Sequence, residues 1–168
     1  QGFGLEPAAV ELYDGRLIMD RVFIEGGEYG LYQEAGNLRI KQAFFKSNAQ
    51  GMATYNAESL LLDEVVIEDV ERGFYVQGTT NVSLTDAYIT GGYDGVFFDF
   101  ASGSVSRVQV ANAAFGMSAF GLDTSVSVQD VSISGADLAA FGVLYGAHVE
   151  AERVRLHDNS DVGLELYG

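Results

Sequence analysis

The chain has 168 residues, 48% of them apolar, which is enough for one domain with a continuous core and too short for two ordinary domains. Its 24 acidic and 9 basic residues give a formal net charge of −15, which would repel nucleic-acid phosphates and anionic lipid surfaces. No apolar run approaches the roughly 20 residues of a membrane-spanning helix. We therefore predict no nucleic-acid partner and no membrane span.

The sequence starts at Gln1 rather than at methionine. We expect residues 1–168 to form a single domain that is an excerpt of a larger protein. The absence of cysteine excludes disulfide bonds and thiolate metal sites, although it leaves the cellular compartment open.

Glycines recur along the chain at a nearly fixed interval of 21 or 22 residues, with one longer interval of 26. They are Gly30, Gly51, Gly73, Gly95, Gly116, Gly142 and Gly163. The same spacing extended backwards reaches Ala9, so the chain contains about seven repeats. An apolar residue follows each of these positions, and a second, mostly apolar one comes two residues later. This period of two predicts a short strand after each glycine.

A second pattern begins seven to ten residues after each glycine. It consists of two short apolar alternations separated by two polar residues, as in Leu60, Leu62, Val65 and Ile67. The polar pair predicts a tight bend between a second and a third strand. Three short strands per repeat, each with its own inward column, predict a solenoid whose core is completed by stacking coils about 4.8 Å apart. Only the stretch 135–141 leaves room for a helical turn, which would account for the longest interval.

The two patterns together resemble the right-handed β-helix repeat of the pectate-lyase-like superfamily, over residues 9–168. We therefore predict an all-β fold, a single-stranded right-handed parallel β-helix of about seven coils of 21–22 residues with three short strands each. The resemblance implies an extracellular or cell-surface protein of bacterial type that interacts with acidic or complex polysaccharides. It does not imply one activity, because the superfamily includes lyases, hydrolases, isomerases and non-enzymes on the same scaffold.

The outer face of the first strand lines the substrate groove in the enzymes that the chain resembles. Alternation places many aromatic side chains on this face, with acids and amides between them. Aromatic rings can stack on sugars while polar neighbours bind their hydroxyls. The predicted ligand-binding residues are Tyr32, Glu34, Tyr55, Tyr75, Gln77, Phe97, Asp99 and Phe120. The alternative is that the aromatic side chains pack beneath a neighbouring domain, loop or subunit.

Catalytic residues are harder to assign. Glu34 and Asp99 share one column but stand three coils apart, or about 14 Å, whereas the carboxylates of glycosidases stand roughly 5 to 9.5 Å apart. Lyases of the resembled families commonly use a basic residue with an acid-bound calcium. The nearest analogue is Arg72 beside Asp94 on adjacent coils, followed by Asp99, and a salt bridge is the preferred role for this pair. These three residues remain weak catalytic candidates.

The charged residues at the second position of the bend are predicted to have a structural role. The residues are Arg21, Gln42, Glu64, Asp86, Arg107, Asp130 and Arg153. The last four alternate in sign, which favours the correct stacking of coils. A calcium ladder would need stacked acids without intervening basic residues, so we predict no metal site and no cofactor; calcium is the one ion that the resemblance to lyases suggests.

The outward column of the third strand is apolar over the first four coils and polar afterwards. Its apolar members are Phe23, Phe44, Val66 and Tyr88, and Ile18 and Leu61 on the second strand extend the apolar surface. Stacked exposed apolar residues indicate a contact surface. We predict an interface here, with another copy of the chain or with a domain outside this sequence.

The preferred function is a non-catalytic module of a larger extracellular or surface protein that binds a polysaccharide or a protein partner through its aromatic face. One alternative is a polysaccharide lyase or glycoside hydrolase. Another is a structural oligomerisation segment. Whether the protein is an enzyme is left open, and the non-enzyme is preferred because charged residues do not cluster on the first-strand face.

Overall fold

The computed structural model describes residues 8–168, so residues 1–7 of the predicted domain lie outside the described part. The described residues form 19 strands, β1 to β19 in chain order, and no helix. All strand pairs are parallel, and each strand pairs with its equivalents in the neighbouring coils. The prediction of an all-β parallel solenoid of about seven coils is therefore confirmed.

The first sheet contains the strand that follows each repeat glycine or its equivalent. Its eight strands stack in chain order. They are β1 (Ala8–Leu12), β3 (Tyr29–Gln33), β5 (Gln50–Tyr55), β7 (Arg72–Gln77), β10 (Asp94–Asp99), β13 (Phe115–Phe120), β16 (Ala139–Leu144) and β19 (Val162–Tyr167).

The second sheet combines the predicted second and third strands of every coil. In the first three coils the two run together as one bent strand, namely β2 (Arg16–Glu25), β4 (Asn37–Lys46) and β6 (Ser59–Glu68). In the later coils they are separate, as β8 (Val82–Thr85) and β9 (Tyr88–Thr90), β11 (Ser102–Ser106) and β12 (Gln109–Ala111), β14 (Ser125–Gln129) and β15 (Ser132–Ser134), and β17 (His148–Glu152) and β18 (Arg155–His157).

The predicted bend is present in every coil, and its second residue has a left-handed backbone. The φ angles of these seven non-glycine residues lie between 51° and 56°: Arg21, Gln42, Glu64, Asp86, Arg107, Asp130 and Arg153. A left-handed non-glycine residue costs about 1–2 kcal/mol. In the stack its amide is hydrogen-bonded to the next coil, as from the Asp86 N–H to the Ser106 carbonyl (3.1 Å). Hydrogen bonds between stacked coils thus stabilise a left-handed backbone conformation that is unfavourable for each of these residues in isolation.

The core is one continuous column of inward side chains. Leu60, Leu62, Val65 and Ile67 are at most 2% exposed, which confirms the predicted inward positions of that coil. The inward Gln33 is also fully buried. Its side-chain amide donates to the carbonyl of Gly36 at 3.2 Å, so this polar group is satisfied inside the apolar column.

One part of the predicted register is wrong. The repeat of glycines predicts that Gly142 is the register partner of Gly116. In the structure Gly142 is the register partner of Ser118, so the equivalent of Gly116 is Ala140. The insertion before it forms bends rather than a helical turn. A shift of two residues leaves every strand side chain on the same face, so apolar alternation could not reveal it. The period of two counted from Gly142 predicts an inward Tyr145, but Tyr145 lies at a corner with φ 54° and is 53% exposed.

Candidate ligand-binding face

Five aromatic residues form a continuous row along the outer face of the first sheet, four of them within its strands and the first directly after β1. We call Tyr13, Tyr32, Tyr55, Tyr75 and Phe97 the aromatic ladder. Successive ring centroids are 6.0, 5.5, 5.6 and 5.6 Å apart. The sheet positions these rings because each strand stands one coil from the next, at about 4.8 Å. Four predicted ligand-binding residues are therefore brought together in one row.

The ladder alternates between two columns, because Glu11 is the register partner of Tyr32 and Tyr13 therefore lies, like Tyr55, in the adjacent column. Backbone pairing places Ala53 between Tyr32 and Tyr75, while Tyr55 lies in the adjacent column. The Tyr55 ring bridges the interval, and Ala53 is fully buried although its side chain points outward. Tyr75 and Phe97 are nearly parallel, at 19°, and therefore pack on each other. The ladder is both a sheet-stabilising cluster and a surface.

Asp99 is the centre of a polar cluster beside the ladder. Its Oδ2 accepts a hydrogen bond from the Tyr75 hydroxyl at 2.9 Å and another from the Gln77 amide at 2.6 Å. Burial, together with the hydrogen bond to Asp99, raises the pKa of Tyr75 well above its ordinary value. Tyr75 therefore stays protonated and keeps donating to the carboxylate. Three predicted ligand-binding residues meet in this cluster.

Glu34 does not join that cluster. Its column continues through Tyr55 and Gln77 to Asp99, one coil at a time, so it stands three coils from Asp99, at about 14 Å. The Glu34 side chain is exposed at the N-terminal part of the face. The two carboxylates thus flank the ladder at separate points.

Arg72 and Asp94 pair across adjacent coils, as expected from their positions. The distance from Arg72 Nε to Asp94 Oδ2 is 3.3 Å, and the Asp94 side chain is 9% exposed. Burial raises the pKa of Asp94, and the nearby guanidinium partly opposes this effect. The Arg72 guanidinium also lies 5.9 Å from the centre of the Tyr75 ring. Both groups are thus engaged within the protein.

Phe120 belongs to a second aromatic group at the corner after the first strands. We call Phe100, Phe120, Tyr145 and Tyr167 the corner cluster. Successive ring centroids are 5.8, 4.8 and 5.2 Å apart. An apolar groove runs beside these rings and reaches Leu122, which is 80% exposed. Phe120 is the register partner of Asp99 in the next coil, so it continues the outward column of Gln77 and Asp99 while its ring packs in the corner cluster.

The sequence predicted Phe120 as an outward residue but not its neighbours Phe100 and Tyr145, although one signal was present. The corner position is left-handed and is occupied in successive coils by Asn56, Gly78, Phe100, Gly121 and Tyr145. Asparagine and glycine are expected there, whereas an aromatic residue is strained by about 1–3 kcal/mol. A Cβ at Gly121 would come within 2.7 Å of the Phe100 ring. The glycine thus leaves the space that the neighbouring ring fills.

The predicted interface residues form one column on the second sheet. Phe23, Phe44, Val66 and Tyr88 are register partners in successive coils. The Phe23 and Phe44 rings are stacked, with centroids 5.3 Å apart at 15°, and Phe23 is 61% exposed. Ile18 on the same sheet is 57% exposed. We call this surface the apolar stripe.

The charged bend residues pair between coils. Arg107 donates two hydrogen bonds to Asp86, at 2.7 and 2.8 Å, and Arg153 donates two to Asp130, at 2.5 and 3.0 Å. The hydrogen-bonded arginine lowers the pKa of each aspartate. Alternating signs thus produce direct ion pairs. Within residues 8–168 no group of three or more histidine, aspartate or glutamate side chains is placed to hold a metal ion.

The fold and this face define a parallel β-solenoid with an aromatic outer surface. Comparisons with family models, curated proteins and solved structures gave no match to the chain. In the described part of the chain, no helix is long and apolar enough to cross a membrane.

Proposed function

We propose that this protein is a non-catalytic polysaccharide-binding module that holds an extended glycan along the aromatic ladder. The single observation that carries the proposal is the unbroken row of five rings, with one ring in each successive coil. A repeating ligand suits a site that repeats with each coil. Aromatic rings stack on the C–H faces of sugars, and polar groups at the edge of the row bind hydroxyls.

The arrangement of the polar groups beside the ladder supports a binding role rather than a catalytic one. Asp94 is buried and paired with Arg72, and Asp99 accepts hydrogen bonds from Tyr75 and Gln77. Glu34 stands about 14 Å from Asp99, too far for paired-carboxylate hydrolysis. Orientation of a sugar by such fixed acceptors requires no proton transfer. A reaction product released from any polysaccharide would contradict the non-catalytic proposal.

The ladder is tested by isothermal titration calorimetry with a panel of neutral, amino-sugar and uronate oligosaccharides. We expect binding of at least one, and Tyr55→Ala should weaken it about three- to tenfold because one ring–sugar contact is lost. Phe23→Ala, which removes a ring from the second sheet, should bind like the parent chain. Thermal melting of both variants separates lost binding from lost folding. Unchanged affinity in Tyr55→Ala would refute the ladder as the binding surface.

The apolar stripe supports a second function, packing against another chain or domain. Phe23 is 61% exposed and Ile18 57% exposed, and a contiguous apolar surface of this kind marks a contact. We expect light scattering to give a molar mass above that of one chain. Phe23→Glu should return the mass to that of a monomer, because burying a charge in an apolar contact is costly. A monomeric parent chain would contradict self-association.

A further inference from the structure

A shallow polar pocket lies at the corner that precedes the first-sheet strands. It has a volume of about 330 Å³. Its lining residues are Glu28, Ala49, Gln50, Glu71, Arg72 and Tyr93. Arg72 connects the pocket to the aromatic ladder, because its guanidinium also lies 5.9 Å from the Tyr75 ring centre. The pocket therefore adjoins the ladder on the side where the first-sheet strands begin.

Several polar groups of this pocket are hydrogen-bond acceptors. Glu28 and Glu71 line the pocket from positions two coils apart, with about 10 Å between their backbones. Among the described residues, the buried side-chain oxygen of Gln50 has no hydrogen-bond partner. The cationic donor, Arg72, is already paired with Asp94 at 3.3 Å. The pocket thus offers acceptors that need a donor, and an ammonium group supplies three.

The charged residues of the first sheet also favour a cationic ligand. Arg72 is the only lysine or arginine in the eight strands of the first sheet. Acidic residues in or directly after these strands include Glu11, Glu34 and Asp99. A uronate or sulfated chain would meet these carboxylates without a free cation to balance them, whereas a cationic chain would be attracted.

We infer that the glycan held by the ladder is a polysaccharide with free amino groups, whose ammonium groups bind the carboxylates of Glu28 and Glu71 in the acceptor pocket. This inference rests on the proposed function and adds the chemical class of the ligand. The sugar rings lie on the aromatic ladder, and the amines point to the acceptor pocket. Carboxylate repulsion excludes the uronate polymers from this face.

The test compares three oligosaccharides of equal length by calorimetry at mildly acidic pH: glucosamine, N-acetylglucosamine and galacturonate oligomers. We expect the glucosamine oligomer to bind at least fivefold more tightly than the acetylated one at low salt. The difference should shrink as salt rises, because exposed charges are screened. Galacturonate should bind most weakly.

Two matched variants locate the effect. Glu71→Gln should weaken glucosamine binding at least threefold and leave binding of the acetylated oligomer unchanged. Glu64→Gln removes the same charge at the bend, where the equivalent Gln42 shows that glutamine fits, and should change neither. Equal affinity for the amine and acetylated oligomers, or equal effects of the two variants, would overturn the inference and leave the proposed function intact. Absence of binding to every oligosaccharide would refute both.

Discussion

Phe98→Ala is expected to lower the free energy of unfolding by about 3–5 kcal/mol. Phe98 is fully buried in the interior of the solenoid, and its ring packs edge-to-face on Phe74 with centroids 6.2 Å apart. Truncation leaves a cavity that neighbouring coils cannot fill, because each is held in register by its own hydrogen bonds. Thermal unfolding followed by circular dichroism should show a midpoint lower by about 10 °C.

The adjacent residue provides a matched control. Phe97 lies on the same strand but points outward, where it stacks on Tyr75 at 5.6 Å. Phe97→Ala should cost less, about 1–2 kcal/mol, since Phe97 is only partly buried and its truncation removes one ring pair without leaving an internal cavity. Equal losses in the two variants would contradict the assignment of inward and outward faces.

Gly51→Ala is expected to destabilise the chain by about 1–3 kcal/mol, as overpacking in a filled core does. A Cβ at this position would lie 2.5 Å from Cγ2 of Ile67 and 2.9 Å from the carbonyl oxygen of Gly73 in the next coil. Ile67 is β-branched and buried, so its side chain has little freedom to move away. Urea unfolding of the parent chain and the variant measures the loss.

The last glycine of the same column is the control for this prediction. A Cβ at Gly163 would meet no atom within 4 Å. Gly163→Ala should therefore leave the urea midpoint within about 0.5 kcal/mol of the parent value. If both variants lose the same stability, glycine is required at this position for a reason other than close approach of the next coil.

The inward columns could be predicted because they depend on local alternation. Leu60, Leu62, Val65 and Ile67 were assigned from spacing, and all are buried. The register of β16 could not be predicted, because a shift of two residues preserves the alternation. Only the pairing of β16 with β13 shows that Ala140, and not Gly142, is the equivalent of Gly116.

The candidate site was predictable in part for the same reason. The outward positions of Tyr32, Tyr75 and Phe97 follow from the repeat and lie in one column. The corner cluster was missed because Phe100 and Tyr145 occupy a left-handed position that favours glycine or asparagine, and only contact with neighbouring rings explains them.

The sequence by itself determined the repeat length, the face on which most strand side chains lie and the acidity of the surface, since these depend on residue type and on a period of two. The tertiary structure decided how the rings are tilted, that Tyr55 covers Ala53, and that Asp99 accepts hydrogen bonds from Tyr75 and Gln77. These contacts join residues one coil apart, and their geometry depends on how neighbouring coils pack, which no local pattern specifies.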